Sequence, residues 1–259
     1  MSVNSVDQET LASTPQADCS QCHFQSSLSV AGTCKPGYCC VQAENGSQIH
    51  RFFKAHPEYA PNYRQDPYWE RRAIAALYLP ADYLALLLND PDEAVRRVLA
   101  YRVPLEWLPA LIADIDREVR ITVADRLPEE QLEVLADDPD YLVRVYVARR
   151  LPLGRLFRLA ADVDAEVRRI VAERIPQVSL GLLANDTDVA IRRIVVQRMD
   201  VDGLELMKCD SDWTIRYEVA LRAESCLLTE MLGDSDEAVR EVARQRCIAR
   251  RIEHQKPLS

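Results

Sequence analysis

Five of the eight cysteines in this chain fall within 22 residues, at Cys19, Cys22, Cys34, Cys39 and Cys40, in the segment CSQCHFQSSLSVAGTCKPGYCC. Two thiolates separated by two residues converge on one centre from a single tight turn. A second pair, Cys34 with Cys39 or Cys40, is bracketed by Lys35-Pro36-Gly37-Tyr38, and Pro-Gly is a turn signal. The segment is too short and too polar to bury a core, so a four-thiolate centre is the device expected to hold it folded. Three chemistries use such a set. Structural zinc takes four cysteines from paired knuckles. An iron–sulfur cluster takes the same ligand type, and its larger core suits a wider, less regular spacing. Two disulfides with a free thiol would require an oxidising compartment. The opening MSVNSVDQETLASTPQ has neither the basic nor the apolar region of a secretory signal, so a cytoplasmic location is expected and disulfides are disfavoured. Spacing leaves zinc and iron–sulfur open. Neighbouring side chains diverge, so Cys39 and Cys40 are not expected to ligate one centre together, and His23 reads as a solvated loop residue.

These thiols must be held against something larger. Residues 47–56 (SQIHRFFKAH) read as a short helix, with Ser47 as a candidate N-cap and Ile49, Phe52 and Phe53 on one face at i, i+3 and i+4. Pro57, Pro61 and Pro67 punctuate the link that follows. From Asp66 onward one pattern recurs every 24 residues, led by Asp66, Asp90, Asp114, Asp138, Asp162, Asp186, Asp210 and Asp234. A fixed period of this size means stacked repeats. The helix at 47–56 is expected to dock its apolar face on the first copy.

Numbering each copy from its leading Asp, position 3 is Asp in copies two to eight and precedes an apolar-periodic run, which marks a helix N-cap. Positions 6, 10 and 14 are apolar and position 11 is mostly Ala, giving one stripe of a helix about ten residues long. Proline at position 15 in copies one to five (Pro80, Pro104, Pro128, Pro152, Pro176) ends that helix. Leucines at positions 19 and 22 permit a second helix of at most eight residues, α or 3₁₀. Position 7 is Arg in every copy and position 13 in copies two to eight. Position 13 falls near the free carbonyls of a helix C-terminus. Position 7 can pair with the position-3 Asp or with an Asp of the next copy, which makes the Asp and Arg rows a clasp between copies.

Few glycines (7 of 259 residues) and 7% aromatics favour helix over sheet. The formal net charge of −9 speaks against general binding to nucleic acid or anionic lipid, although an unpaired arginine stripe would keep nucleic acid open. No apolar run approaches the roughly 20 residues of a membrane span, so no membrane association is expected. There is no phosphate-binding glycine loop, metalloprotease motif or nucleophile elbow, so neither an enzyme nor a small-molecule substrate is expected.

On the unit D-x-D-x-x-V-R-x-x-V-A-x-R-L-P-x-x-x-L-x-x-L, well represented by DIDREVRITVADRLPEEQLEVLAD at residues 114–137, the chain resembles the leucine-rich repeat variant family, and its cysteine segment resembles the iron–sulfur domain that precedes such repeats. The resemblance implies an all-α, right-handed solenoid of alternating α- and 3₁₀-helices behind a small cysteine-rich domain. It implies a [4Fe–4S] cluster rather than zinc, with Cys19, Cys22, Cys34 and Cys40 as ligands and Cys39 as the alternative fourth. The organisation expected is a polar tail (1–18), the cluster domain with its docking helix (19–65), eight repeats with the last incomplete (66–250) and a carboxy-terminal tail (251–259). Asp200, Glu224 and Ile248 replace the proline in the last three copies, so packing there should be less regular. The function expected is a non-enzymatic interaction scaffold for a protein partner, its cluster structural or sensing oxygen or iron. Electron transfer, or nucleic-acid binding through arginines, is the alternative.

Overall fold

A computed structural model describes residues 17–254. The expected amino-terminal tail lies outside these residues apart from Ala17 and Asp18, and residues 255–259 of the expected carboxy-terminal tail also lie outside them. The chain divides into two compact units, Met1–Arg126 and Leu127–Ser259. Among the described residues there is no strand; the one β-type pairing recorded is an isolated antiparallel bridge between Lys35 and Cys39.

The first unit begins with the cysteine segment, including a short π-helical stretch at Gln25–Ser29, and continues into helix α1 (Gly46–Ala55). The helix starts one residue earlier than the sequence suggested, because Asn45 rather than Ser47 caps it, its side chain accepting from the Gln48 N–H at 3.2 Å. Ile49, Phe52 and Phe53 are fully buried. Phe53 packs against Tyr63 and Tyr78 (ring centroids 5.3 and 6.3 Å), which seats α1 on the first repeat, and Phe52 meets Phe24 and Tyr59 on the cysteine side. The repeats of this unit contribute α2 (Trp69–Ala76), α3 (Ala81–Leu84), α4 (Glu93–Arg102) and α5 (Arg117–Arg126).

The second unit carries α6 (Tyr141–Arg150), α7 (Ala165–Arg174), α8 (Val189–Arg198), α9 (Trp213–Arg222), α10 (Ser225–Glu230) and α11 (Glu237–His254). Helices α4 to α9 are each ten residues long. Their N-caps are the position-3 aspartates: Asp92, Asp140, Asp164, Asp188 and Asp212 each accept from the N–H two residues on. The prolines at position 15 sit at φ between −57 and −53° with ψ between 139 and 151°, an extended geometry that stops the helix. Behind each of Pro104, Pro128, Pro152 and Pro176 lies a seven-residue 3₁₀ segment. Three residues per turn place positions 19 and 22 on the same side, and pairs such as Leu132/Leu135 and Leu180/Leu183 are buried accordingly.

The last three copies show what the missing proline changes. In copy six the Asp200 carboxylate accepts from the Gly203 N–H at 2.9 Å, and the 3₁₀ segment Asp202–Met207 is one residue shorter. In copy seven α10 replaces most of the 3₁₀ turn. In copy eight, Ile248 interrupts nothing and α11 runs for 18 residues, so residues 251–254, expected in the tail, are helical.

Candidate metal centre

The cysteine segment is built from short-range backbone bonds. Cys22 N–H reaches the Cys19 carbonyl (3.2 Å) and Gln25 N–H the Cys22 carbonyl (3.0 Å), turning the C-x2-C pair inward. At the second pair, Tyr38 N–H bonds to the Lys35 carbonyl at 3.0 Å and Gly37 takes φ +81°, the left-handed geometry that a type II turn requires and that glycine adopts without strain. Lys35 and Cys39 exchange both backbone bonds at 2.8 Å, and Cys40 N–H is tied to the Gln48 carbonyl of α1 at 3.3 Å.

All five thiols are free of disulfides. Cys34, Cys39 and Cys40 are buried, whereas Cys19 and Cys22 are half-buried, so the group is closed on one side and more open on the other. Burial raises the Cys34 thiol to about 12, and the nearby thiols of Cys40, Cys39, Cys22 and Cys19 push it the same way. Cys19 is raised by burial, by Cys40 and by Cys22. Burial also raises the Tyr63 hydroxyl to about 12, with Cys22 and Cys40 contributing. Cys34 thus lies among the other four thiols of the segment.

Cys39 points elsewhere. Its thiol donates to the Thr33 carbonyl at 3.3 Å, and the charges acting on it are those of Cys40 and Arg51. Adjacent residues facing opposite ways is what the Cys39-Cys40 step requires of extended backbone. Crowding four potential anions in a buried place disfavours their ionisation, and a cationic core held among them would offset that cost. The donor set therefore fits an iron–sulfur group. Among the described residues, no three His, Cys, Asp or Glu side chains already sit at the spacing of a single bound ion.

The arginine rows are spent inside the chain. Position-7 arginines grip the leading Asp of the following copy with a bidentate fork: Arg72–Asp90 and Arg96–Asp114 in the first unit, Arg144–Asp162, Arg168–Asp186, Arg192–Asp210 and Arg216–Asp234 in the second, at 2.7–2.9 Å for the Nε contact. The partner is position 1 of the following copy, eighteen residues on, not position 3. Position-13 arginines reach the other way, to carbonyls at the helix end of the preceding copy, as in Arg126 to Ala100 and Val103 or Arg198 to Ala172 and Ile175. Within D-x-D the first Asp also accepts from the N–H of the second. At the variable positions Arg97 pairs with Asp116 and Arg169 with Glu166 and Glu173.

No helix among the described residues is long and apolar enough to cross a membrane. A family model described as “LRV protein FeS4 cluster” matches residues 15–62, and one described as “Leucine rich repeat variant” matches residues 117–140 and 141–164. A Rhodobacter capsulatus protein named “Uncharacterized 27.7 kDa protein in nifB 3'region” is 39% identical over 89 residues, 34% of this chain and 36% of that protein, so the match spans about a third of the relative's length. A solved structure described as “A leucine-rich repeat variant with a novel repetitive protein structural motif” is 51% identical, covering 90% of this chain and all (100%) of that one with a TM-score of 0.79. With α-helix and 3₁₀ segment alternating through its 24-residue copies and a cysteine segment matching the iron–sulfur model before them, the chain belongs to the leucine-rich repeat variant family, as an iron–sulfur repeat protein.

Proposed function

We propose that this protein is a non-enzymatic scaffold that binds a protein partner, and that its cysteine segment holds a [4Fe–4S] cluster through Cys19, Cys22, Cys34 and Cys40. One observation carries the scaffold reading. In the second unit the 3₁₀ segments present Val134, Phe157, Val178, Leu182 and Leu206 to solvent, each 57–91% exposed, while the fixed arginines and aspartates beside them are consumed in the clasps. Leu206 Cδ1 lies beside the backbone of the preceding 3₁₀ segment, where a Cβ placed on Gly181 would meet it at 3.4 Å. Exposed apolar side chains that recur on successive 3₁₀ segments support a surface that pairs with another protein.

The cluster, when bound, supplies iron that ties four thiolates of a coreless segment together. The buried pair, Cys34 and Cys40, anchors the segment under α1, and the half-buried pair, Cys19 and Cys22, leaves it accessible to oxygen. That asymmetry supports a structural cluster that also reports oxygen or iron by being lost. Anaerobically purified protein should contain iron and sulfide in equal amounts and bleach in air. A colourless protein holding one zinc would sink the cluster assignment. For the scaffold, capture by wild-type protein should retain a partner that the Phe157→Ser/Leu182→Ser/Leu206→Ser variant loses with its helical circular dichroism intact; equal capture by both would end that reading.

A further inference from the structure

An open hollow of about 540 Å³ on the cysteine segment is lined by Lys35, Arg51 and Lys54, with Thr33, Tyr38 and the buried Cys39 completing its walls. One wall is the loop that carries Lys35 and Tyr38, the other the outer face of α1, where Arg51 and Lys54 stand one turn apart. All three cations are exposed, and among the described residues none is paired with a carboxylate. This is unusual in a chain of net charge −9 whose other arginines are so largely spoken for.

The arrangement is also held in place. Arg51 Nη1 donates to the Tyr38 carbonyl at 2.9 Å, and its guanidinium lies 4.6 Å from the Tyr38 ring centroid. A guanidinium fixed in advance loses little freedom when a ligand arrives. The dipole of α1 accounts for Lys54 in its last turn. It does not account for Lys35, which comes from a different segment and faces the same space.

We infer that this hollow is a binding site for a small multivalent anion bearing carboxylate or phosphate groups. Its size falls within the roughly 300–1,000 Å³ of small-ligand sites. Three convergent cations without a counter-ion suit more than one negative group, and Arg51 offers the planar fork that carboxylates and phosphates share. The site belongs to the first unit and the proposed scaffold surface to the second, and the inference does not depend on that reading.

The test is calorimetric titration of the full-length, anaerobically purified protein at low salt with citrate, pyrophosphate and inorganic phosphate. Saturable binding of citrate or pyrophosphate with one site per chain is expected; the better of the two identifies carboxylate or phosphoryl recognition. The Lys35→Gln/Arg51→Gln variant should bind at least about tenfold more weakly, reflecting the loss of charge-assisted bonds, while Arg193→Gln in the second unit should leave affinity unchanged. Heats that fail to saturate with all three anions, or a folded double variant that binds like wild type, would overturn the site. If the double variant does not fold, the exposed Lys54→Gln decides: weakened binding supports the site and unchanged affinity refutes it.

Discussion

At the scale of single residues, the decisive pair is Cys39 and Cys40. The two are adjacent and both buried, and both act on Cys34, yet the Cys40 thiol also acts on Cys19 whereas the Cys39 thiol bonds to the Thr33 carbonyl and neighbours Arg51. Cys40→Ser is therefore expected to lose most of the protein's iron and visible absorbance, and Cys39→Ser to keep both; the reverse outcome would move the fourth ligand to Cys39. The clasp aspartates make a second prediction. Arg216 holds the Asp234 carboxyl below its ordinary value, and Arg97 does the same for Asp116. A carboxylate whose folded-state pKa is depressed contributes its stability in full above the unfolded value, near 3.8, and loses it as pH falls through the folded value. Stability measured by urea unfolding should thus hold down to about pH 5 and then decline steadily below about pH 4. In Arg216→Gln, the share of that decline due to Asp234 should shrink.

At the scale of the element, each of the first five repeats is a short helix that ends before a proline, and the caps matter because a ten-residue helix is marginal alone. Asp164 caps α7 through the Glu166 N–H at 2.8 Å. Asp164→Ala should cost about 1 kcal/mol in chemical unfolding and Asp164→Asn far less, since the amide oxygen can still accept. An equal loss in both would mean that charge, not the cap bond, is what matters there. In copies six and seven the helix still ends at Arg198 and Arg222 without proline, whereas in copy eight, with Ile248 at that position, α11 continues to His254.

At the scale of the whole molecule, the cysteine segment and the repeats rest on different forces. The repeats bury leucine and valine stripes and join copy to copy with forks and carbonyl contacts. Apart from its thiols, the cysteine segment is held by a few contacts: Phe24 with Phe52 and Tyr59, the Cys40 N–H on the Gln48 carbonyl, and Arg51 on Tyr38. Removing iron with a chelator under reducing conditions should therefore make the segment before α1 sensitive to protease while leaving most of the far-ultraviolet helical signal. Loss of the helical signal in step with the iron would show that the repeats depend on the cluster.

Periodicity alone determined much of this. The 24-residue phase, the Asp caps, the proline stops and the buried leucines each follow from a local rule acting on neighbouring residues, so the alternating helical repeat was legible from Asp66 onward. The docking face of α1 was legible for the same reason, from Ile49, Phe52 and Phe53. Other features depend on residues far apart in the chain, and only the folded arrangement decided them. Arg168 meets Asp186, eighteen residues on, because stacking brings position 7 over the next position 1; either aspartate of D-x-D would have satisfied the sequence. Asn45 took the cap that Ser47 was expected to hold, because its side chain is the one placed to reach Gln48. The divergence of Cys39 from Cys40 followed from their adjacency, but the meeting of Lys35 with Arg51 and Lys54 arises where a loop folds back on a helix, a contact that no spacing along the sequence encodes.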